Sequence, residues 1–267
     1  MNMFEKFIYL LQTKMIRPEL FGWFHLLCIF ITGLSVFLLY KRKDKYNEKQ
    51  LKKVLGVYGF IAFILELLKQ VSWSFNYNSL TNTVTWDYQW YAFPFQLCTT
   101  PIYVSIICFF MQKNKIRDAL LSYLAYVTIL GSLATIIYPS SCFVEDILVN
   151  IHTMYLHCGS LVLSLYLIFS KEVKLNKESI KSGVYVFICF VVLALIMNIV
   201  VYNLNICNNE TFNMFYISPY FIGVLPVFDL VQQMVPYPVF LLFYIVMLIS
   251  GSYLVYLIAK ILSKKSI

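Results

Sequence analysis

Charge is what this sequence has least of. Asp, Glu, Lys and Arg make up only 13% of its 267 residues, whereas 60% are hydrophobic and the mean hydropathy is +0.74. No soluble domain needs that excess to build a core, so composition places the chain in a membrane. Acidic residues are the scarcer sign, 13 against 21 basic ones, for a net charge of +8. Such a balance can suit nucleic acid, but the basic residues fall in short clusters between apolar runs and form no basic face or binding motif, which excludes that partner. No A-x-A pattern precedes the first apolar run, so no signal peptide is expected, and no repeat or low-complexity tract divides the chain. Only 3 histidines are present. Two of them, His152 and His157, are five apart, about 140° around a helix, so they form no H-x-x-x-H pair. Neither a metal nor a cofactor is expected.

What is present is a series of long apolar runs, near 20–40, 54–75, 93–112, 119–139, 149–170, 184–205 and 237–262. Each can cross a hydrocarbon core of about 30 Å, and each must be helical, because lipid satisfies no backbone polar group. The expectation is an all-α bundle of seven transmembrane helices. Residues 1–19, with Phe4, Phe7, Ile8, Leu11 and Met15 at helical spacing among charges, read as an amphipathic interfacial segment, and residues 20–267 as a single seven-span membrane domain. On that plan 17 Lys and Arg fall on one side, only three on the other, and Lys69 inside the second run. The N-terminus is therefore expected outside and the C-terminus in the cytoplasm, with the protein multi-pass in the cell's plasma membrane. The one long connection, residues 206–236, is expected to fold back onto the bundle.

Which polar residues does the bilayer have to accept? An ionisable group inside a span costs about 2.5 to 3.5 kcal/mol, so each is a functional hypothesis by default. They are Glu66, Lys69, His25, His152 and His157, with Cys98, Gln96 and Asn198 as polar companions. At about 1.5 Å per residue His25, Cys98 and Lys69 lie about 8 to 9 Å below the outer end of their spans, and His157 and Glu66 about 12 to 14 Å. With Asn198 at a similar level, they predict one polar pocket in the outer half of the bilayer. His152, near the end of its span, reads as an interfacial residue.

Glu66 and Lys69 share a helix face at i,i+3, which suits a mutually neutralising pair that makes the span insertable as well as it suits substrate binding. Cys98 stands out among 7 cysteines because Pro94 and Pro101 flank it a turn away on either side. Two prolines free backbone groups and open a helix. A cysteine nucleophile needs a base, for which His157 or His25 can serve. It also needs an oxyanion donor, for which Gln96, Asn198 or freed backbone N–H groups can serve. Most membrane cysteines do no more than pack.

The stretch FPFQLCTTP resembles the LP-x-x-LC motif of the YwaF-like integral membrane family. In the same order, LFGWFHLL with His25, LELLK with Glu66 and Lys69, MYLHCG with His157, and NMFYISP followed by VPYPVFLLFY also resemble that family's segments. Phe93 stands where Leu is usual, and VPYP replaces a more tryptophan-rich segment. The resemblance extends to the related transmembrane protein 164 family of phospholipid acyltransferases. It implies that Cys98 takes an acyl chain from a donor phospholipid as a thioester and passes it to a lysolipid hydroxyl or to water, with His157 as general base and acid. His25, Glu66, Lys69, Gln96 and Asn198 would then line the site, and membrane lipids would be the partners.

The alternative class is a transporter or channel that uses the buried Glu66, Lys69 and histidines as an ion path and survives loss of Cys98. A retinal pigment is excluded, since the last span has no lysine before Lys260. Cys142 and Cys207 both fall in outer loops, within disulfide reach of one another if the loops meet. Asn209-Glu210-Thr211 is a glycosylation sequon in a eukaryotic context, although the Lys, Ile, Asn, Tyr and Phe richness suits an AT-rich bacterial genome.

Overall fold

The computed structural model describes residues 2–43, 47–139, 142–208 and 210–265. Asn209 of the sequon lies outside the described residues. In chain order, α1 (Met3–Leu11) leads to α2 (Trp23–Lys41) and α3 (Glu48–Ser72). A hairpin of β1 (Phe75–Asn78) and β2 (Thr83–Trp86) follows, then α4 (Thr100–Phe110), and α5 (Lys115–Tyr126) running almost straight into α6 (Thr128–Ile137). The chain ends with α7 (Ile147–Phe169), α8 (Lys177–Asn203), the short α9 (Phe228–Met234) and α10 (Tyr237–Lys265).

Helix starts are written in asparagines. Asn2 accepts from Glu5 N while the Glu5 carboxylate accepts from Asn2 N, and Asn47 and Gln50 make the same reciprocal cap on α3. Asn114 and Asn176 cap α5 and α8 in turn. Each side chain satisfies first-turn N–H groups that have no helical partner.

Six helical stretches are long and apolar enough to cross a membrane: α2, α3, α5–α6 taken together, α7, α8 and α10. The α5–α6 stretch and α7 are the most deeply buried, while α2 and α10 turn most of their surface outward. Exposed Phe30, Ile64, Val192 and Leu242 on the outer helices suit contact with acyl chains. Close packing rests on small residues. A Cβ on Gly183 of α8 would meet the Ser122 backbone of α5 at 2.8 Å, so only glycine lets those helices approach so closely.

The run expected to span 93–112 is different. Its helix, α4, has 11 residues, about 16 Å at about 1.5 Å per residue, and the preceding stretch from Trp90 to Thr99 is irregular. Pro94 and Pro101 are the cause. Phe93, before Pro94, takes a non-helical, polyproline-like conformation (φ −48°, ψ 134°), and Pro101 sits in the first turn of α4, where its missing N–H leaves no helical bond unmade.

The hairpin pairs Phe75 with Trp86 and Asn78 with Thr83, and α1 packs against it. Gln12 fastens α1 by donating to the carbonyls of Ser72 and Phe75 at 2.8 and 2.5 Å. The long connection folds back into the bundle, where Met214, Phe215 and Ile217 are fully buried. Among the described residues no disulfide joins Cys142 and Cys207.

Candidate functional site

A broken helix inside a bundle has to satisfy its exposed carbonyls some other way. Here side chains do it. Gln70 donates to Ala92 O at 2.7 Å, Tyr103 Oη to Pro94 O at 2.6 Å, Thr99 Oγ1 to Gln96 O at 2.9 Å and Thr100 Oγ1 to Leu97 O at 2.7 Å. The turn that carries Cys98 is thus pinned from α3 and from α4 itself. The N–H groups of Leu97 and Cys98 donate to no other described residue, that of Cys98 facing its own sulfur. They stand just before the first turn of α4, beside the partly buried Cys98 thiol.

Beside this turn lies the buried charge. Lys69 Nζ is 2.8 Å from Glu66 Oε1, and both residues are nearly inaccessible, at 7% and 2% exposure. Gln70 donates to the same Glu66 oxygen at 2.7 Å and accepts from Tyr88 Oη at 3.0 Å. His152 Nε2 stands 2.7 Å from the other oxygen, Glu66 Oε2. Cys98 lies within electrostatic reach of Glu66 and Lys69, and of Tyr58, Tyr103, Tyr123, Tyr216 and Tyr244.

His152 is therefore no interfacial residue. It faces the carboxylate across the α3–α7 contact, buried at 5% exposure, and neither ring nitrogen makes a hydrogen bond among the described residues, so its closeness to Glu66 is an ion-pair contact. The two histidines weighed as a base separate cleanly. His25 uses both ring nitrogens: Nδ1 accepts from Phe21 N at 3.0 Å, and Nε2 lies 2.8 Å from Ile136 O. It is a strut between the start of α2 and the end of α6, held as the Nε2–H tautomer. His157 lies buried against the Gly131 backbone and within electrostatic reach of His152. No hydrogen bond joins His157 to the Cys98 sulfur among the described residues.

Gln96 and Asn198 have their amides committed. Gln96 donates to Asn213 O at 3.0 Å and accepts from Phe215 N at 2.8 Å, and Asn198 bonds both backbone groups of Met214, at 3.0 and 2.7 Å. Asn213 in turn accepts from Ser218 N and donates to Phe221 O. These three amides clamp a loop in which Phe215 and Tyr216 both take left-handed backbone angles, φ 59° and 56°. Two bulky residues there in succession are strained and persist only because their surroundings fix them. Phe215 stacks on Phe95 with centroids 5.5 Å apart, so the clamped loop forms a wall of the Cys98 turn.

Sequence reasoning missed Gln70, Tyr88 and Asn213. Only Gln70 carried a signal, being one residue beyond Lys69 and a turn from Glu66. Tyr88 and Asn213 lie in connections, where no periodicity assigns a partner. Among the described residues no His, Cys, Asp or Glu group of metal-binding size gathers.

Fold and site together define a polytopic helical membrane protein with a broken helix and a buried ionic network. The chain belongs to the TMEM164 family, whose model matches residues 20–256, most of its length. Neither the curated proteins nor the solved structures give a match.

Proposed function

We propose that the protein is a membrane enzyme of phospholipid acyl transfer in which Cys98 is the nucleophile and His157 the general base. The observation that carries the reading is the pair of backbone N–H groups, of Leu97 and Cys98, that no other described residue's acceptor meets, in a pinned, non-helical turn at the half-buried Cys98. Backbone donors so placed suit the oxyanion of a tetrahedral intermediate. The resemblance of FPFQLCTTP and MYLHCG to the acyltransferase motifs supplies the two roles.

In the first half-reaction the Cys98 sulfur attacks the ester carbonyl carbon of a donor phospholipid while His157 accepts the thiol proton. The tetrahedral intermediate then collapses to a thioester, and the departing lysolipid alkoxide takes the proton from His157. In the second half a lysolipid hydroxyl, or water, attacks the thioester with His157 as base, and the proton returns to sulfur.

The reading places the protein in the plasma membrane with its N-terminus outside and the Cys98 turn in the outer leaflet half. The irregular stretch 90–99 and α4 together make the seventh crossing.

Incubating the purified protein in detergent with a phospholipid that carries an alkyne-tagged acyl chain tests the chemistry. A hydroxylamine-labile tag on the parent, absent from Cys98→Ala and reduced at least about a hundredfold in rate in His157→Ala, is expected. No tag on the parent, or an unchanged tag on Cys98→Ala, overturns it.

One observation favours a second reading, transport: the Glu66–Lys69–His152 network is an ionic cluster inside a bundle, as ion paths require. Ion flux in proteoliposomes that persists in Cys98→Ala and is lost in Glu66→Gln would select it.

A further inference from the structure

The opposite end of the bundle, where the lysine-rich connections gather, contains a charge with too few partners. Arg117, in the first turn of α5, is 1% exposed, yet it is always charged. Its Nη2 meets Glu48 Oε1 at 2.8 Å, whereas Nε and Nη1 are buried with no hydrogen-bond partner among the described residues. A guanidinium so enclosed, with most of its donors idle, is costly unless something else meets them.

What adjoins it is an open cavity of about 450 Å³ lined by Glu48, Lys52, Gln112, Lys113 and Glu172. Arg117 is not itself in that lining; it meets the cavity wall through Glu48, and it acts electrostatically on Glu172. Lys52 stands one turn beyond Glu48 on α3, and Lys113 precedes the asparagine that caps α5. Ser170, two residues before Glu172, also leaves its Oγ buried and without a partner among the described residues. Half the Glu48 side chain is solvent-exposed, so it can turn away from Arg117 without entering another buried position.

We infer that this cavity binds a phosphate group, with Arg117 as its fixed fork, Lys52 and Lys113 as its closing charges, and Glu48 as the carboxylate the phosphate displaces. Phosphate matches the fork because its oxygens take two parallel guanidinium N–H bonds, which a carboxylate on Nη2 alone leaves unused. Glu172 completes the charge balance. Burial raises its carboxyl above the ordinary range, as do the charges of Glu48 and Asp118, against the opposing pull of Lys113 and Arg117. An arriving phosphate raises it further, so binding draws in a proton and the cavity is not left with two competing anions. The group can be free phosphate or the headgroup of an anionic lipid. The inference is independent of the acyl-transfer reading, which concerns the other end of the bundle.

The test is a thermal-shift and binding titration of the full chain in a neutral, non-ionic detergent at constant ionic strength. The probes are inorganic phosphate, a short-chain phosphatidic acid and a short-chain phosphatidylcholine. Saturable binding of phosphatidic acid, roughly tenfold weaker in Lys52→Ala/Lys113→Ala and tighter in Glu48→Gln, is expected. Lys41→Ala/Lys43→Ala, with neither residue lining the cavity, should bind like the parent, which separates the cavity from a general attraction to basic loops. Phosphate binding as tightly as phosphatidic acid would assign a soluble ligand, and phosphatidic acid binding alone would assign a lipid headgroup; either supports the site. No saturable binding of either anion by the parent overturns the proposal. Binding unchanged in both the Lys52/Lys113 and Glu48 variants does the same.

Discussion

Glu66 is the one buried acid among the described residues, with Lys69 and Gln70 on one oxygen and His152 near the other. A charge this deep in a bundle is tolerated because every neighbour is arranged around it, which makes the pair a poor source of stability but a severe liability when broken. Glu66→Ala strands Lys69 and should cost on the order of 3–5 kcal/mol, while Glu66→Gln/Lys69→Met, which removes both charges, should recover most of it. Melting temperatures of the two variants in one detergent compare them directly, and equal losses would refute the account. The pair itself was readable in the sequence, because i,i+3 spacing on an apolar helix leaves those two charges no other neighbour. Its third member was not: His152 sits on α7, and only the packing of α3 against α7 brings it to Glu66. The spacing argument correctly separated His152 from His157, but it could not say what either faced.

Among the elements, α4 departs furthest from its apolar pattern. Hydropathy reads the run 93–112 as uniform, and apolar content does fix it in the bundle. Hydropathy cannot count backbone partners, however, and the two prolines divide the run into a short helix and an irregular approach. The prolines beside Cys98 were the legible signal of this break. Illegible was the means of repair, in which carbonyls are met by Gln70, Tyr103, Thr99 and Thr100, and the 213–218 loop is clamped against the turn by Gln96 and Asn198. In the sequence those two amides stood as possible oxyanion donors; in the fold their hydrogen bonds belong to Asn213, Met214 and Phe215. Asn198→Ala leaves the buried Met214 N–H unpaired, a loss of roughly 1–3 kcal/mol, and leaves its C=O with only the Ile217 N–H at 3.4 Å. The strained Phe215–Tyr216 backbone should then relax. Faster amide exchange across residues 213–218 in Asn198→Ala, with exchange in α5 and α7 unchanged, is the expected pattern, and unchanged exchange in the loop would show that packing alone holds it.

At the scale of the whole molecule, the two ends of the bundle differ in charge and in what they present. One end carries α1, the aromatic hairpin and the Lys14–Asp146 contact, at 2.7 Å, that ties the N-terminal segment to the connection before α7. The other carries the asparagine-capped starts of α3, α5 and α8, most of the lysines, and the Arg117 cavity. Six long helices alone would return the chain to its starting side. On the reading proposed above, the path from the end of α3, through the hairpin and stretch 90–99, and down α4 to the start of α5 would be a further crossing and make their number odd. Basic residues resist translocation, so the lysine-rich end should stay in the cytoplasm. In a variant with its native cysteines replaced, Ser79→Cys in the exposed hairpin turn should react with a membrane-impermeant maleimide on intact cells. Ser263→Cys near the end of α10 should react only after permeabilisation. Labelling of both from outside would mean an even number of crossings and would demote stretch 90–110 to a re-entrant loop, while the reverse pattern would invert the protein and put the Cys98 turn in the inner leaflet.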